Sequence, residues 1–439
     1  MKVAFFTLGC KVNQYDTQLC MELLSNEGFE VVQPKESADV YVVNSCTVTA
    51  ESDRKTRQTV RSFKRKHPQS VVILTGCLPQ VYPEIAKDLP EADIVIGNSN
   101  YPDLPRLLNE HSLTRQHLSN IIPHELCHDT ILCDCGISAF QERTRAAVKI
   151  QEGCDNYCSY CIIPTARGPV RSKDLEKVKA EINALETAGF KEIVFVGINL
   201  TTFGRKSSYS LTDAVELASS FDGISRIRLG SLEPDRMTEG LIEQLSKYPK
   251  LCPHFHLSLQ SGCDKTLKRM NRKYTTVMYE SLCQTLRSTF PDCSLTTDVI
   301  VGFPGEAREE FDESLAFVNR ISFAKVHVFP YSPRPGTKAA EMPDQISKKE
   351  KEERSRKMLA AAQSMRDNFL KKQVGKTVII LAEEATATKA TVGFTPNYTP
   401  VIIKGKELEK GKLYKVLLTG VEGDCCEGKT LQTDAEQQN

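Results

Sequence analysis

Short runs of β-branched and aromatic residues recur along this chain, each followed by a longer polar stretch able to form a helix. The first three are KVAFFTLG, DVYVVNS and SVVILTG. Strands that alternate with helices pair in parallel, because each return helix carries the chain back to the same end of the sheet. The expected fold class is therefore α/β, opening with a parallel α/β domain over about residues 1–110. Each of these strands runs into a cysteine: Cys10, Cys46 and Cys77. The carboxyl ends of such strands form one edge, where ligands bind. If the three strands are neighbours, their thiols converge. Three unrelated buried cysteines are the plain alternative, since free cysteine is commonly buried.

The rhythm resumes over residues 146–344 with AVKIQEG, EIVFVG, RIRLGS, HFHLSLQ, TTDVIVG and KVHVFPY. Six successive strand–helix units predict an open or partial (β/α)6 barrel, with its site at the carboxyl ends of the strands. Between the barrel's first two strands, SKDLEKVKAEINALETAG predicts a helix closed by Gly189 as C-cap. Residues 111–145 read as a linker carrying Cys127, Cys133 and Cys135 beside His124 and His128. Their spacings fit no zinc pattern, and no role is assigned to them. Residues 345–373 read as a charged helical connector; from Ser347 to Lys376 ten Lys/Arg face four Asp/Glu. In residues 374–439, TVIILAEE, TPVIIKG and KLYKVLLTGVEG with Gly-rich turns predict a small β-barrel of oligonucleotide-binding size.

The loop EGCDNYCSYCIIPTARG places Cys154, Cys158 and Cys161 at the spacing C-x3-C-x2-C. Structural zinc wants four ligands, and no fourth Cys or His lies nearby. Thiolates also ligate iron–sulfur clusters, and three of them on a four-iron cube leave one iron open. The compartment fits metal rather than disulfides. No apolar run approaches the ~20 residues of a membrane span. The apolar run of MKVAFFTLGC is too short for a signal peptide and leads into KVNQYD. The expectation is a cytoplasmic protein without membrane contact, its 16 cysteines serving as ligands and core residues. The formal net charge of +1 says nothing about partners, so any nucleic-acid surface must be local. One such patch is Arg54 to Lys66, RKTRQTVRSFKRK, with seven Lys/Arg and no acid. Arg57, Arg61 and Arg65 within it, and Arg167 and Arg171 after the cysteine loop, are the candidate RNA contacts; a solvated basic helix face is the alternative for the patch.

The C-x3-C-x2-C spacing with Tyr160 before its last cysteine resembles the radical S-adenosylmethionine superfamily. That resemblance implies a 4Fe-4S cluster on Cys154, Cys158 and Cys161. Its open iron binds S-adenosylmethionine, whose reductive cleavage yields a 5′-deoxyadenosyl radical. Tyr160 and the strand-end residues Asn199, Ser231, Glu233 and Gln260 are the implied cofactor contacts. TLGCKVNQYDT, KIQEGCDNYCSYCIIPTARG and HLSLQSGCDKTLKRMNRKYT carry the likeness further. Except in the linker, the whole chain resembles the methylthiotransferases of that superfamily, with Cys10, Cys46 and Cys77 matching the ligands of a second 4Fe-4S cluster and the C-terminal segment matching a TRAM RNA-binding barrel. The implied activity is methylthiolation at the adenine C2 carbon of N6-threonylcarbamoyladenosine, at position 37 beside the tRNA anticodon, with two molecules of S-adenosylmethionine. Implied partners are a tRNA anticodon stem-loop, an electron donor such as flavodoxin or ferredoxin, and a sulfur donor. Sister branches act on isopentenyladenosine in tRNA or on a ribosomal-protein aspartate. A non-catalytic RNA-binding iron–sulfur sensor is the reading from a different class, and it would form no 5′-deoxyadenosine.

Overall fold

The computed structural model describes residues 1–123, 136–138, 143–205, 207–385 and 390–431. Cys127, Cys133, Cys135, His124 and His128 lie outside them. The chain begins with six parallel strands: β1 (Lys2–Thr7), β2 (Glu30–Val32), β3 (Val40–Ser45), β4 (Val71–Gly76), β5 (Ile94–Ile96) and β6 (Leu118–Asn120), in spatial order β2-β1-β3-β4-β5-β6. Helices α1 (Lys11–Asn26), α2 (Ala50–Lys66), α3 (Cys77–Val81) and α4 (Leu104–Thr114) return the chain between them. Every residue of β3 and β4 is buried, as expected of central parallel strands covered on both faces. Each fully buried Val or Ile there contributes roughly 1.5–3 kcal/mol.

The first sheet reaches further along the chain than expected. Residues 111–120 are the end of α4 and the edge strand β6, paired in parallel with β5, rather than linker. The segment LSN has neither β-branched residues nor alternation, so only its pairing makes it a strand.

All six expected barrel strands form: β7 (Arg145–Lys149), β10 (Glu192–Val196), β11 (Arg226–Leu229), β13 (His254–Leu257), β14 (Ser294–Val301) and β15 (Lys325–Pro330). They are joined by the short pair β8 (Gln151–Glu152) and β9 (Arg171–Ser172), and by β12 (Ser231–Leu232). One sheet runs β11-β10-β7 and the next β12-β13-β14-β15, all parallel. At Gly230 the chain passes from β11 in the first sheet to β12 in the second, which makes the two sheets one curved wall. This is an open six-strand barrel. Helix α5 (Ile163–Arg167) follows the cysteine loop, and α6 (Leu175–Thr187) ends at Ala188 with Gly189 just beyond it in the left-handed region (φ 88).

Helix α7 (Lys348–Lys371) is more than a connector. Its Met358, Ala362 and Met365 are buried, it packs along β15, and Arg354 is buried in an ion pair with Glu306 at 2.5 Å. After it, β16 (Thr377–Ala385), β17 (Thr391–Phe394), β18 (Pro400–Ile403), β19 (Leu413–Glu422) and β20 (Cys425–Thr430) close into a five-strand barrel. The turn between β17 and β18 docks on the amino-terminal mouth of the larger barrel. Arg226 donates to the Phe394 carbonyl (2.9 Å), Arg228 to the Pro396 carbonyl (2.9 Å), and the Ser294 hydroxyl to the Asn397 carbonyl (2.6 Å). The larger barrel is thus stoppered at one end, leaving its carboxyl-terminal mouth for chemistry.

Candidate functional site

Strands β1, β3 and β4 are adjacent and in parallel register, Val3 beside Val40 and Val40 beside Val71. Their cysteines therefore leave one sheet edge side by side: Cys10 at the N-cap of α1, Cys46 directly after β3, and Cys77 opening α3. Two glycines permit the approach. A Cβ on Gly9 (φ +117) would lie 3.0 Å from the Cys46 Cβ, and one on Gly76 (φ +96) only 2.4 Å from the Ser45 carbonyl oxygen. Asn13 stitches the edge together, its Nδ2 donating to the Ser45 carbonyl (2.8 Å) and the Leu8 carbonyl (3.1 Å). Cys46 and Cys77 are buried, while Cys10 is exposed. Burial pushes the Cys77 thiol up to about 12, against the pull of Arg167, and raises Cys46 likewise.

The second set sits at the mouth of the open barrel. The loop is pinched at its base, where β8 and β9 pair antiparallel, Gln151 beside Ser172 and Glu152 beside Arg171. Within it the Cys154 N–H donates to the Gly168 carbonyl (3.1 Å) and the Cys161 N–H to the Cys158 carbonyl (3.0 Å). Arg272, absent from the sequence candidates, donates through Nη1 to the Cys158 sulfur at 3.1 Å. Its other Nη pairs with Glu233, whose second oxygen accepts from Asn156 Nδ2 at 2.6 Å. A buried polar chain thus runs from the cysteine loop through Arg272 and Glu233 back to the loop. Burial raises the Glu233 carboxyl, although Arg272 pulls the other way. Burial also lifts Cys154 to about 11 and Cys161 to about 12.

The remaining strand-end candidates surround this loop. Asn199 is buried after β10; its Oδ1 accepts from Thr201 (2.6 Å), and its Nδ2 has no hydrogen-bond partner among the described residues. Ser231 opens β12, with Glu233 two residues on. Gln260 follows β13 in the left-handed region (φ 68), where its backbone bonds to Asp298 and Ile300 hold it. Tyr160 packs under the loop, edge-on to Phe303 at 6.4 Å.

Each set brings its three cysteines to one sheet edge or one loop. Every described cysteine is free. Among the described residues no three His, Cys, Asp or Glu side chains lie close enough to hold one metal ion. Burial raises the thiols of Cys46, Cys77, Cys154 and Cys161, so a group bound there by thiolates must bring its own positive charge.

One expectation for an arginine is corrected. Arg167, expected at RNA, is completely buried. It donates to Asp16 (2.7 Å), Glu152 (3.0 Å), Asn13 (2.8 Å) and the Cys77 sulfur (3.3 Å). Lys149 completes the cluster, reaching Asp16 at 2.7 Å and Glu152 at 3.1 Å. Burial alone would raise Glu152, but Lys149 and Arg167 overrule it and hold the carboxylate well below its usual range. Arg167 is the last residue of the helix that follows Cys161, so it ties one cysteine loop to the other cysteine set. Arg171 is half-buried and donates to the Arg167 carbonyl (2.9 Å). On α2 the basic stretch is partly neutralised. Arg54 and Lys55 pair with Glu51, Lys64 with Asp93 at 2.8 Å, and Arg61, still exposed, with Glu91 at 3.2 Å. Arg57, Arg65 and Lys66 carry no ion pair among the described residues.

Residues 2–97 match the family model described as uncharacterized protein family UPF0004, and residues 148–318 match the radical SAM superfamily. The threonylcarbamoyladenosine tRNA methylthiotransferase MtaB of Bacillus subtilis (strain 168) is 38% identical over 420 residues, 94% of this chain and 93% of that protein. The enzyme of the same name from Aquifex aeolicus (strain VF5) is 38% identical over 418 residues, 95% of this chain and 100% of the other. The ribosomal protein uS12 methylthiotransferase RimO of Geobacter sulfurreducens is 37% identical over a shorter 366 residues, 82% of this chain and 81% of that protein. Among solved structures, the radical S-adenosylmethionine methyltransferase TsrM of Kitasatospora setae, with cobalamin and a 4Fe-4S cluster bound, superposes with a TM-score of 0.57 over 77% of each chain. At 14% identity that likeness concerns the fold alone.

Proposed function

Because this chain belongs to the radical S-adenosylmethionine methylthiotransferases, we propose that it adds a methylthio group to the adenine C2 carbon of N6-threonylcarbamoyladenosine beside the tRNA anticodon. It is an enzyme of that family and works with a 4Fe-4S cluster and S-adenosylmethionine. The observation that carries the reading is the buried link between the two cysteine sets: Arg167 follows the Cys161 loop and donates to Cys77 at 3.3 Å, and Asn98, 4.0 Å from the same sulfur, donates to the Ala166 carbonyl at 2.7 Å. An enzyme that must both generate a radical and deliver sulfur needs two such centres close together.

In this reading Cys154, Cys158 and Cys161 hold the radical cluster, and Cys10, Cys46 and Cys77 hold a second 4Fe-4S cluster that presents the sulfur. Bound there, the clusters and S-adenosylmethionine supply the radical chemistry that an unactivated aromatic C–H bond requires. The protein's own part is placement. Arg272 fixes Cys158 and Glu233 together. The free Nδ2 of Asn199 offers a donor to the cofactor carboxylate, and Glu233, Ser231 and Gln260 offer acceptors and donors to its amino group and ribose. The docked C-terminal barrel closes the far mouth, so reactants enter at the cysteine-bearing edge. A sulfur donor and an electron donor such as flavodoxin or ferredoxin are required by the stoichiometry of the reaction. No helix among the described residues is long and apolar enough to cross a membrane, and a tRNA substrate would be met in the cytoplasm, the location this reading implies.

Mass spectrometry of tRNA nucleosides from cells with and without the gene tests the reading. Loss of 2-methylthio-N6-threonylcarbamoyladenosine, with its unmethylthiolated precursor accumulating, is the expected result. Unchanged tRNA together with loss of a methylthio group from a ribosomal protein would move the substrate to the protein branch.

The RNA surface has its own expected result. Arg57 and Arg65 are the arginines of α2 left without acids, so they are the ones able to replace counterions on phosphates. Arg57→Glu with Arg65→Glu is expected to weaken tRNA binding and flatten its log–log salt slope by about 0.7–0.9 per lost phosphate contact. Filter binding across a salt series measures both, and an unchanged slope would remove α2 from the RNA surface.

A further inference from the structure

The inner wall of the larger barrel is charged, and its strand registers show how. Arg145, Glu192 and Arg226 share one level, and Ala147, Val194 and Arg228 share the next. The small side chains of Ala147 and Val194 leave a cavity of ≈ 90 Å³ beside them, several times the about 10–15 Å³ that one water needs. Four cations line it, Lys11, Arg143, Arg145 and Arg228, against one carboxylate, Glu383.

One of the four cations, Arg228, is spent, and Arg145 is only partly so: its buried Nη1 has no hydrogen-bond partner among the described residues. Arg145 pairs with Glu383 at 2.5 Å and lies over the Phe394 and Tyr398 rings at 4.6 and 5.0 Å. Arg228 is fully buried, held by Glu192 at 2.8 Å, by the Pro396 and Thr395 carbonyls, and over the Tyr398 ring at 4.6 Å. They form a fixed positive backing. Lys11 and Arg143 make no ion pair or hydrogen bond among the described residues; Arg143 is exposed, whereas burial, with Arg228 and Arg145 nearby, lowers the Lys11 ammonium to about 8. Gln14 lines the same cavity, one turn along α1 from Lys11, and its amide likewise has no partner among the described residues. Free cations and a free amide thus face a concave space with surplus positive charge, immediately beside Cys10. Such a space binds a small anion that also carries hydrogen-bonding groups.

We propose that this cavity is the specificity pocket for the N6 substituent of the substrate adenosine: Lys11, backed by Arg143, pairs with the free α-carboxylate of the threonyl group, and Gln14 takes its carbamoyl or hydroxyl. The assignment deepens the reading of the substrate as N6-threonylcarbamoyladenosine and rests on it. It gives a reason for choosing that base over one with an apolar substituent: without the carboxylate, Lys11 keeps no partner in the pocket. Arg228 acts by holding the field, and the unpartnered Nη1 of Arg145 offers the carboxylate a further donor.

The test pairs protein variants with substrate variants, using reconstituted full-length enzyme. Anticodon stem-loops carry either N6-threonylcarbamoyladenosine or its threonyl methyl ester, which keeps the shape and removes the charge. Wild-type enzyme is expected to bind the acid at least about ten-fold tighter than the ester, the size of one charge-assisted hydrogen bond. Lys11→Met should lose that discrimination, binding both RNAs as wild type binds the ester, and Lys11→Arg should recover most of it. Iron content of each variant monitors the neighbouring Cys10. Equal wild-type affinity for acid and ester would overturn the pocket without reference to any variant. An equal loss on both RNAs in Lys11→Met would assign Lys11 to a backbone phosphate and overturn it too. Failure of wild-type enzyme to bind either stem-loop would instead sink the substrate reading on which the pocket rests.

Discussion

Replacing Cys154, Cys158 and Cys161 together with Ala is expected to abolish formation of 5′-deoxyadenosine from S-adenosylmethionine and to remove about half of the iron, from about eight to about four atoms per chain. The expectation follows from where the sulfurs are. All three are on one loop pinched by the β8–β9 pair, and none has a disulfide partner. Arg272 and Glu233 brace the loop from the barrel side, so the scaffold stays in place when the sulfurs are gone. Ala at Cys10, Cys46 and Cys77 should give the complementary phenotype: the same loss of iron and no methylthiolated product, with 5′-deoxyadenosine still formed under reduction. Iron assay, electron paramagnetic resonance and chromatography of the nucleoside separate the two. A first variant that keeps all its iron, or a well-folded second one that loses all cleavage, would contradict two separable centres.

That the two sets are separable was already legible in the chain. A strand read from KVAFFTLG, DVYVVNS or SVVILTG ends where its apolar run ends, and a cysteine stands there each time. Parallel pairing then does the rest, because adjacent parallel strands deliver their ends to one edge. The six barrel strands were readable for the same reason, being buried and rich in β-branched residues. Two strands were not: the edge strand β6 and the barrel strand β20 are short or polar, and become strands only through their neighbours' hydrogen bonds. Individual contacts escaped for a different reason. Arg272 lies 114 residues from Cys158, and one arginine in KRMNRKYT looks like any other until the barrel closes. Arg167 was misplaced because a basic residue beside a cofactor loop suggests phosphate, whereas its acceptors, Asp16 and Asn13, come from a helix some 150 residues earlier (|i−j| of 151 and 154).

Arg167 is where the largest effect on architecture is expected. Arg167, Lys149, Asp16 and Glu152 form a closed set of two cations and two anions, all buried, with Asp16 on α1 and the other three in the barrel domain. A buried set of this kind contributes little net stability while complete, but losing one member leaves uncompensated charge at a cost of about 3–5 kcal/mol. Arg167→Met would leave Lys149 as the one cation paired directly with the two carboxylates among the described residues. A chain of several domains has no single unfolding free energy, so the cost should appear locally, as faster hydrogen exchange in α1 and in the loop Glu152–Gly168. A second effect would not follow from a merely structural role. Arg167 is the buried cation against the Cys77 sulfur, at 3.3 Å, and hydrogen bonds and charge at the sulfurs set cluster potentials. Losing it should shift the midpoint potential of the second cluster to more negative values. Arg167→Lys keeps the charge but cannot reach four acceptors with one ammonium, so it should recover the potential better than it recovers the exchange protection. A redox titration of the second cluster in both variants, set beside their exchange maps, decides the matter. A potential unchanged in Arg167→Met would confine Arg167 to holding the two domains together.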